Sequence, residues 1–310
     1  MPRFYLLSYD GPMSIEHRVL GKTGMSVAVL GFGGSETGYG ATGIRAVKKL
    51  LDSALDAGLN LIDTAECYGE GEEQIGRAIA DRRRDFFLMT KCGHADGADG
   101  PDWEPVMLAR SIDRSLKRLR TDYVDVMQLH SCSAATLADG AVIDVLVRAR
   151  DAGKTRFIGY SGDSDDALFA VGTGAFDTLQ ISLSIADQEA IDLVLPKARE
   201  RAMGVIAKRP IANAAWIGRR GASDAYSRPY YDRLKRLDYD FLDAANSVEI
   251  ALRFTLSTPG VHTAIVGTAK PGRWEENARA ASAGPLPAAL YEKIRARWRS
   301  VASPDWSGQR

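Results

Sequence analysis

The stretch NLIDTAECYGEGEE, residues 60–73, begins like a β-strand and ends like the start of a helix. It opens with apolar residues, presents an aspartate at Asp63 and a tyrosine at Tyr68, and then changes to glycine and glutamate. An apolar run, a polar connection and an amphipathic segment in this order are typical of a β/α unit. An ordinary connection needs neither Asp63 nor Tyr68. The stretch therefore predicts a β/α unit that carries two candidate functional side chains.

Further apolar runs rich in Val, Ile and Leu recur along the chain between longer amphipathic segments. The eight candidate strands are Val27–Gly31, Leu59–Asp63, Phe86–Thr90, Val124–Leu129, Arg156–Tyr160, Thr178–Leu183, Gly204–Ala207 and His262–Val266. Between them, Glu73–Arg82 and Pro105–Arg120 repeat apolar residues every three or four positions, as amphipathic helices do. Eight strands alternating with helices in a chain of 310 residues predict a closed (β/α)8 barrel, the TIM-barrel fold.

A doubly wound open sheet is the alternative fold, and a glycine fingerprint that opens a helix after the first strand would favour it. The run GFGGSE at Gly31–Glu36 includes Gly33 but lacks the GxGxxG spacing, and no helical pattern begins before about Gly43. No Pro-, Gly- or Ser-rich linker and no change in composition marks a domain boundary. The sequence therefore favours a single barrel domain.

Three segments lie outside the repeating β/α pattern. The run HRVLGKTGMSVAVL, residues 17–30, predicts a β-hairpin that turns at GKTG, and a hairpin ahead of a barrel is suited to closing its lower mouth. We expect residues 1–15 to form an extension, with Met1 and Met13 both open as the start, and residues 16–310 to form the single domain. Arg209–Tyr231 predicts a long loop after the seventh strand.

Composition and charge exclude several classes of function. The 40 basic and 40 acidic side chains give a formal net charge of zero, whereas a nucleic-acid binder is expected to carry a basic face. No apolar run approaches the roughly 20 residues of a membrane span, and the first dozen residues lack the pattern of a secretory signal. Cys67, Cys92 and Cys132 show no CxxC spacing, which disfavours a disulfide framework or a zinc site. We therefore expect a cytoplasmic protein with no nucleic-acid or membrane partner.

Polar residues follow the apolar runs in consecutive β/α units. They are Asp63, Lys91, His130, Ser161, Gln180, Lys208 and Thr268. In a barrel the carboxyl ends of the strands meet at one mouth, where the active sites of this fold lie. A single aspartate after a strand is usually a helix cap, and a single lysine is usually solvated. Complementary groups in successive units predict a site.

Asp63, Tyr68, Lys91 and His130 together suit the delivery of a proton to a carbonyl oxygen. A tyrosine hydroxyl has an ordinary pKa of about 10, which a neighbouring ammonium is expected to lower. A carboxylate can hold that ammonium in place, and a histidine can donate a hydrogen bond to the carbonyl. No HxH or HExxH spacing predicts a metal site. Proton delivery of this kind suggests that an organic cofactor supplies a hydride.

In these motifs the sequence resembles the aldo-keto reductases. NLIDTAECYG is similar to the family's Asp-Thr-Ala…Tyr-Gly signature, LMTKCG to its strand-three lysine motif and YVDVMQLH to its strand-four histidine motif. IGYSG and LQISLS resemble the cofactor motifs of strands five and six, and IVGTAKPGRWEEN resembles the segment that holds the nucleotide. The resemblance runs from about Glu16 to Arg297 with the motifs in the family's order.

The resemblance implies a reductase of aldehydes, ketones or sugar carbonyls that prefers NADP(H), with NAD(H) as the alternative. It makes Tyr68 the general acid and Lys91 the partner that lowers the pKa of Tyr68. It makes Asp63 the anchor of Lys91, and His130 the group that orients the carbonyl. The small-molecule carbonyl compound is the expected partner, and the oligomeric state stays open.

The resemblance also implies a set of cofactor-binding residues. They are Gly33, Ser161, Gln180, Lys208, Gly267, Thr268, Arg273, Glu276 and Asn277. Ser161 and Gln180 are implied to hold the nicotinamide carboxamide. Thr268 and Arg273 are implied to bind the 2′-phosphate, with Pro271 near the first helical position of the segment PGRWEEN. Glu276 and Asn277 are implied to contact the adenine.

The sequence departs from the family pattern at three places. The family commonly has Asn after the strand-five serine, whereas this chain has Gly162, so one nicotinamide contact is expected to be lost or moved to Asp163. After strand seven many members place an aromatic residue that stacks on the nicotinamide, whereas this chain reads AKRPIANA with Lys208. Before Thr268 some members carry Lys, and this chain has Gly267.

Two other functions stay open from the sequence. One is an oxidative sugar dehydrogenase of the same family, and the other is a nucleotide-sensing accessory subunit, since the family includes potassium-channel partners. The substrate is expected to depend on residues 35–43, 93–102 and 209–231 and on the tail after Ala302. Five aromatic residues are candidates for the pocket lining: Tyr39, Trp103, Trp216, Tyr226 and Tyr230.

Overall fold

The computed structural model describes residues 15–39, 43–94, 100–218 and 220–309. The strands are β1 (His17–Val19), β2 (Ser26–Ala28), β3 (Leu30–Gly33), β4 (Leu61–Asp63), β5 (Phe87–Cys92), β6 (Val124–His130), β7 (Thr155–Ser161), β8 (Thr178–Ser182), β9 (Gly204–Lys208) and β10 (Thr263–Gly267). β1 and β2 form a two-stranded antiparallel sheet, and β3 to β10 close into a parallel barrel in sequence order. The predicted (β/α)8 barrel is confirmed. The predicted extension lies almost wholly outside the described residues.

Helices surround the barrel strands. They are α1 (Ser35–Tyr39), α2 (Ile44–Asp56), α3 (Gly71–Ile79), α4 (Pro105–Leu119), α5 (Ala134–Leu137), α6 (Ala141–Asp151), α7 (Ser164–Thr173), α8 (Glu189–Leu193), α9 (Leu195–Glu200), α10 (Arg220–Ser223), α11 (Arg228–Leu237), α12 (Ser247–Ser257), α13 (Arg273–Ser282) and α14 (Ala288–Val301). Short 3-10 helices span Gly21–Thr23, Ala80–Asp85 and Ala212–Ala214. Within the described ranges, none of the helices has the length and apolar character to cross a bilayer.

The predicted hairpin is confirmed as a plug at the amino-terminal end of the barrel. β1 and β2 pair with Arg18 opposite Val27. Leu20, Met25 and Val27 are buried in one cluster with residues from inside the barrel, among them Leu61. Burying these apolar side chains removes them from water and fills the lower end of the barrel.

The first barrel strand differs from its predicted span. The prediction was Val27–Gly31, but β2 ends at Ala28 and β3 runs from Leu30 to Gly33. Both strands are buried, so the run SVAVLGFG is continuously apolar and shows no boundary between hairpin and barrel. A short helix, α1, also follows β3 where no helix was predicted before Gly43.

The helix α4 shows why the amphipathic segments fold as predicted. The Glu104 carboxylate accepts a hydrogen bond from the Met107 amide at 3.1 Å, and Pro105 occupies the first turn, so the helix begins there. Leu108 and Ile112 are buried against the barrel. The helix ends at Leu119, one residue before its predicted end. α3 is displaced by two or three residues from the predicted Glu73–Arg82.

The long loop predicted after the seventh barrel strand is confirmed between β9 and α11. Part of it is helical, because Ala212–Ala214 forms a 3-10 turn and α10 follows. The last predicted loop residues, from Arg228 to Tyr231, already belong to α11. Residue 219 of this loop lies outside the described residues. The same is true of residues 40–42 and 95–99, which belong to the other two segments expected to influence the substrate, 35–43 and 93–102.

Candidate active site

The parallel register places the strand-end residues side by side at the carboxyl-terminal mouth of the barrel. The paired residues on neighbouring strands are Gly33–Gly267, Gly33–Asp63, Lys91–Gln128, His130–Ser161 and Ser161–Gln180. Parallel strands end on the same side of a barrel, so residues far apart in sequence share one site. The structure thus brings the predicted strand-end residues together.

Lys91 and Asp63 form a buried ion pair. The Lys91 Nζ donates to Asp63 Oδ2 at 2.6 Å and to the Thr64 carbonyl oxygen at 2.8 Å. Burial alone would lower the pKa of Lys91, but the Asp63 carboxylate and the Tyr68 oxygen outweigh it, so that this pKa lies above its ordinary value. Lys91 is therefore a fixed positive charge at neutral pH.

Two buried amides fix the other oxygen of Asp63. Gln128 Nε2 donates to Asp63 Oδ1 at 3.0 Å, and Gln180 Nε2 donates to the same oxygen at 2.9 Å. Ser161 Oγ in turn donates to Gln180 Oε1 at 3.2 Å. The sequence reasoning missed Gln128, although a glutamine within the buried strand VDVMQLH was a usable signal.

Tyr68 lies between Lys91 and His130. Its ring centroid is 5.1 Å from Lys91 Nζ and 5.7 Å from the His130 ring centroid, with the two rings nearly perpendicular. Burial raises the pKa of Tyr68, Lys91 lowers it and Asp63 raises it, and the net result is above the ordinary value. The Lys91 ammonium thus acts in the expected direction, but burial outweighs it. Tyr68 carries its proton at neutral pH, as a general acid must.

His130 is neutral at the mouth of the barrel. Burial, followed by the charges of Lys91 and Lys208, holds the pKa of His130 well below its ordinary value. Its Nδ1 lies 3.4 Å from Cys67 Sγ. A neutral imidazole has one N–H to donate, which suits a hydrogen bond to a substrate oxygen. In the part of the chain that is described, no cluster of three metal-ligating side chains occurs.

The loop that carries Tyr68 is anchored from behind by Glu66. The Glu66 amide donates to the Lys91 carbonyl oxygen at 3.1 Å, and the buried carboxylate contacts Ser111 and Arg114 of α4. Burial raises the pKa of Glu66, while the Ser111 hydrogen bond and the Arg114 charge oppose this rise. The sequence reasoning missed this residue; its signal was a charged side chain within TAEC, directly after the buried strand.

On the solvent side, Tyr39 closes over the same loop. Its hydroxyl donates to the Cys67 carbonyl oxygen at 2.6 Å, and its ring centroid is 5.9 Å from that of Tyr68. Tyr39 is 68% exposed and lies beside Tyr68, so its place in the pocket lining stays a prediction. Tyr230 is wrong as a pocket residue, because it is fully buried.

The remaining predicted aromatic residues differ in their surroundings. The Tyr226 hydroxyl accepts a hydrogen bond from Arg209 Nε at 2.6 Å, and half of the residue is exposed. Trp216 is half-buried and donates from Nε1 to Ser247 Oγ at 3.1 Å. Trp103 is half-buried, and its ring lies beside that of His94.

Lys208 and Asp163 form a second ion pair at the mouth. Lys208 Nζ lies 2.9 Å from Asp163 Oδ2, and the Ser182 amide donates to Asp163 Oδ1 at 2.7 Å. Burial lowers the pKa of Lys208, and the Asp163 carboxylate opposes this effect. Both carboxylate oxygens of Asp163 thus have protein partners. This does not favour the expectation that Asp163 makes the nicotinamide contact of the family's asparagine.

Gly162 stands where a side chain has no room. A Cβ at this position would lie 2.5 Å from the Tyr160 hydroxyl oxygen and 2.6 Å from its Cε1. Tyr160 is fully buried and donates to the Cys132 carbonyl oxygen at 2.6 Å, so its ring has a fixed place. The departure from the family's asparagine therefore has a packing cause.

The carboxyl-terminal tail after Ala302, one of the segments expected to influence the substrate, reaches the mouth. Trp306 is buried with its ring centroid 5.4 Å from that of Trp298, and the Ser307 carbonyl oxygen accepts a hydrogen bond from Arg233 at 2.7 Å. A Cβ at Gly308 would lie 2.3 Å from Asp163 Cγ, so the backbone of the tail touches Asp163.

The predicted nucleotide segment follows β10. The buried Thr268 hydroxyl accepts a hydrogen bond from the Lys270 amide at 3.0 Å. The helix α13 begins at Arg273 with Gly272 as its N-cap at φ +79°. Pro271, predicted near the first helical position, lies two residues before it, because the left-handed Gly272 is the N-cap.

Arg273, Glu276 and Asn277 lie in the first turns of α13. Arg273 NH1 pairs with Glu276 Oε2 at 2.8 Å, and about half of each side chain is exposed. Asn277 is buried on the inner face of the helix. Arg273 thus lies at the helix N-terminus, where backbone N–H groups favour an anion.

Comparison with known proteins places this barrel among relatives of known class. A sequence model described as the Aldo/keto reductase family matches residues 29–299. L-galactose dehydrogenase of Arabidopsis thaliana is 29% identical over 286 residues, covering 86% of this chain and 88% of that protein. Aldo-keto reductase yakc of Schizosaccharomyces pombe, whose name includes NADP(+), is 30% identical over 233 residues, covering 70% of this chain and 65% of that protein.

A solved structure agrees with the sequence comparisons. The holo form of an aldo-keto reductase from Bacillus halodurans superimposes with a TM-score of 0.81 at 25% identity, covering 94% of this chain and 99% of that chain. The family match spans every barrel strand and all the predicted site residues. The chain therefore belongs to the aldo/keto reductase family.

Proposed function

We propose that this protein reduces aldehyde, ketone or sugar carbonyls to alcohols with NADP(H) as its preferred cofactor and NAD(H) as the alternative. The observation that carries the proposal is the position of Tyr68, whose ring faces both the Lys91 ammonium and the His130 ring. A protonated phenol, a fixed cation and a neutral imidazole at one mouth suit the protonation of a carbonyl oxygen.

Each residue of this group has a separate role. The bound nicotinamide supplies the hydride. Tyr68 gives its hydroxyl proton to the substrate oxygen, and the Lys91 charge stabilises the phenolate that forms. His130 donates a hydrogen bond to the same oxygen and orients the carbonyl. Asp63 holds Lys91 in place and keeps it charged.

The residues around the mouth fit a nicotinamide dinucleotide. Ser161 and Gln180 present a hydroxyl and an amide that match a carboxamide. Gly33 and Gly267 pair on adjacent strands without side chains, so a ligand can approach their backbone. Lys208, paired with Asp163, adds a positive charge at the same mouth. We assign these five residues to cofactor binding.

The preference for NADP(H) rests on the segment after β10. Arg273 offers a planar fork of donors and Thr268 a hydroxyl, as a phosphate requires. The exposed pair of Arg273 with Glu276 is weak, because exposed ion pairs contribute about 0–1 kcal/mol, so Arg273 can change partner. Glu276 and Asn277 are assigned to the adenine. The NADP(+) in the name of the Schizosaccharomyces pombe relative supports this assignment.

A second candidate function is the oxidation of an aldose. The similarity to L-galactose dehydrogenase of Arabidopsis thaliana favours it. The same residues serve this reaction in reverse, since the Tyr68 phenolate would accept the proton of the sugar hydroxyl beside Lys91. The direction then depends on the substrate and on which form of the nucleotide is bound.

A substrate panel tests both candidate functions. Aldehydes, ketones and free sugars are mixed with NADPH and NADH, and free sugars with NADP(+) and NAD(+), while the nicotinamide absorbance is followed for wild type and Tyr68→Phe. Turnover that depends on Tyr68 supports the proposal. Tight nucleotide binding without turnover of any compound would instead favour a nucleotide-sensing accessory subunit.

We further propose that residues 16–310 work as one domain in a reducing compartment, the cytoplasm. The family match over residues 29–299 supports the single domain, and Cys67, Cys92 and Cys132 form no disulfide with one another, as is usual in a reducing compartment. Cell fractionation followed by detection of the native protein tests the location, and recovery outside the cytoplasmic fraction would contradict it.

A further inference from the structure

A second histidine lies at the mouth of the barrel, and the mechanism above does not use it. His94 follows β5, and its ring centroid is 5.3 Å from that of His130. Its Nδ1 lies 3.1 Å from Asp102 Oδ2. The His94 side chain is 37% exposed, so it faces both the proposed catalytic histidine and the opening.

Asp102 sets the hydrogen-bonding character of His94. A carboxylate only accepts hydrogen bonds, so Nδ1 of His94 carries the hydrogen and donates it to Asp102. In the neutral ring, Nε2 is then an acceptor, and its direction is fixed by the hydrogen bond on the other side of the ring. The group that such an acceptor fits is a hydroxyl.

The position of His94 is fixed by Trp103 and Gly93. The Trp103 ring centroid lies 5.5 Å from that of His94, and its amide donates to the Gly93 carbonyl oxygen at 3.0 Å. A Cβ on Gly93 would lie 2.1 Å from the Trp103 ring, and Gly93 itself has φ +131°. Trp103 has φ +67°, a strained value for a large side chain that persists where the surroundings impose it.

We propose that the His94–Asp102 couple accepts a hydrogen bond from a hydroxyl on the carbon next to the reacting carbonyl. The site then selects α-hydroxy carbonyl compounds, the class that includes sugars, over alkyl carbonyl compounds. This inference rests on the proposed function, because Tyr68 and His130 must hold the carbonyl oxygen for the neighbouring substituent to face His94.

The spacing of the rings carries this assignment. Tyr68, His130 and His94 form a continuous series, with centroid separations of 5.7 and 5.3 Å. A carbonyl oxygen shared by Tyr68 and His130 leaves the substituent on the adjacent carbon directed along the series. The half-buried Trp103 beside His94 would give a flat surface for the C–H groups of a hydroxylated substrate.

Glycolaldehyde and propanal form the matched pair for the test, because a hydroxyl in one replaces a methyl group in the other. The kcat/KM of each is measured with NADPH for wild type, His94→Phe and His94→Gln. His94→Phe keeps a ring beside His130 and Trp103 but has no nitrogen. His94→Gln keeps a side-chain acceptor. Hydration of glycolaldehyde is the same in every assay and cancels between variants.

We expect His94→Phe to lower the ratio of kcat/KM for glycolaldehyde over propanal by about 3- to 10-fold, the effect of one lost hydrogen bond. We expect propanal turnover and the Kd of NADPH, measured by fluorescence, to stay within about twofold, since neither uses this contact. His94→Gln should recover part of the ratio. His17→Phe, on β1 at the opposite end of the barrel, is the control and should leave the ratio unchanged.

Three results would overturn the inference. An unchanged ratio in His94→Phe would mean that the histidine does not contact the hydroxyl. An equal loss with both aldehydes would mean that His94 only supports the fold. Wild-type turnover of propanal but not of glycolaldehyde would reject the substrate class and leave the proposed reductase function intact. The absence of turnover with any carbonyl compound of the panel would instead reject the proposed function itself.

Discussion

Lys91 pairs with Asp63, whose two carboxylate oxygens both accept hydrogen bonds. Lys91 Nζ lies 2.6 Å from Oδ2, and Oδ1 accepts the amides of Gln128 and Gln180. Both members of the ion pair are almost fully buried. An uncompensated charge in such a place is costly, so the pair acts as one unit. The same unit places the ammonium beside Tyr68.

Removing the charge of Asp63 alone should destabilise the fold. We expect Asp63→Asn to lower the free energy of unfolding by about 3–5 kcal/mol, because Lys91 is left buried without its counter-charge. The midpoint of urea unfolding, followed by circular dichroism, measures the loss. The double variant Asp63→Asn with Lys91→Met should recover part of it, since the orphaned charge is then absent. A double variant that is less stable than Asp63→Asn would contradict the account.

His130 should make the free energy of unfolding depend on pH. The ordinary pKa of histidine is about 6.5 in the unfolded chain, and burial holds that of His130 well below this value in the fold. The unfolded state therefore binds more protons in this window, so this contribution to stability is present above about pH 6.5 and is lost as the pH falls.

Melting temperatures at several pH values test this dependence. Because His130→Asn lacks this group, we expect acidification from about pH 7 to pH 5 to lower the Tm of wild type relative to that of His130→Asn. The two proteins are compared at equal ionic strength. An identical pH dependence of Tm in both would show that His130 is not the group that resists protonation.

Arg273 should discriminate between the two nucleotides. Loss of a charge-assisted contact to a phosphate costs roughly 1.5–3 kcal/mol, so Arg273→Ala should weaken NADPH binding by about 10- to 150-fold and leave NADH almost unchanged. Titration of the nucleotide fluorescence measures both Kd values. Arg279→Ala, an exposed arginine in the last turn of the same helix, is the matched control. Equal weakening of the binding of both nucleotides, or a wild type that prefers NADH, would mean that Arg273 does not bind a 2′-phosphate.

Gly162 should not tolerate a side chain while Tyr160 is present. We expect Gly162→Ala to destabilise the protein by about 1–3 kcal/mol, as overpacking of a fixed core does. The Tyr160 ring has no space to move, because it is fully buried and hydrogen-bonded to Cys132. In a Tyr160→Leu background the same change should cost less. Equal costs in the two backgrounds, read from unfolding midpoints, would contradict the packing explanation.

The fold could be predicted from the sequence wherever burial produced a clear pattern. The alternation of apolar runs and amphipathic segments predicted the barrel, and the GKTG turn predicted the hairpin. The boundary between β2 and β3 could not be read, because both strands are buried and Val27 to Phe32 is one apolar run. The register that pairs Lys91 with Gln128 depends on closure of the whole barrel, which local residues do not encode.

The residues of the candidate site were likewise predicted only in part. Strand-end residues such as Asp63 and His130 were predicted because strand ends converge in a barrel. Glu66 and Gln128 were missed, since each resembles an ordinary buried polar residue until its partner is seen across the fold. His94 was predicted only as part of the substrate segment 93–102, because the sequence does not show that its side chain contacts Asp102, eight residues further on.

The central claim is that Tyr68 supplies the proton to the substrate carbonyl, and Tyr68→Phe tests it most directly. General acid catalysis is worth about 10²–10⁴-fold, so kcat for carbonyl reduction should fall by at least that factor while the Kd of NADPH stays nearly unchanged. Single-turnover oxidation of NADPH by the best substrate of the panel, with a parallel fluorescence titration, gives both quantities. A Tyr68→Phe protein that reduces the substrate at the wild-type rate would contradict the account.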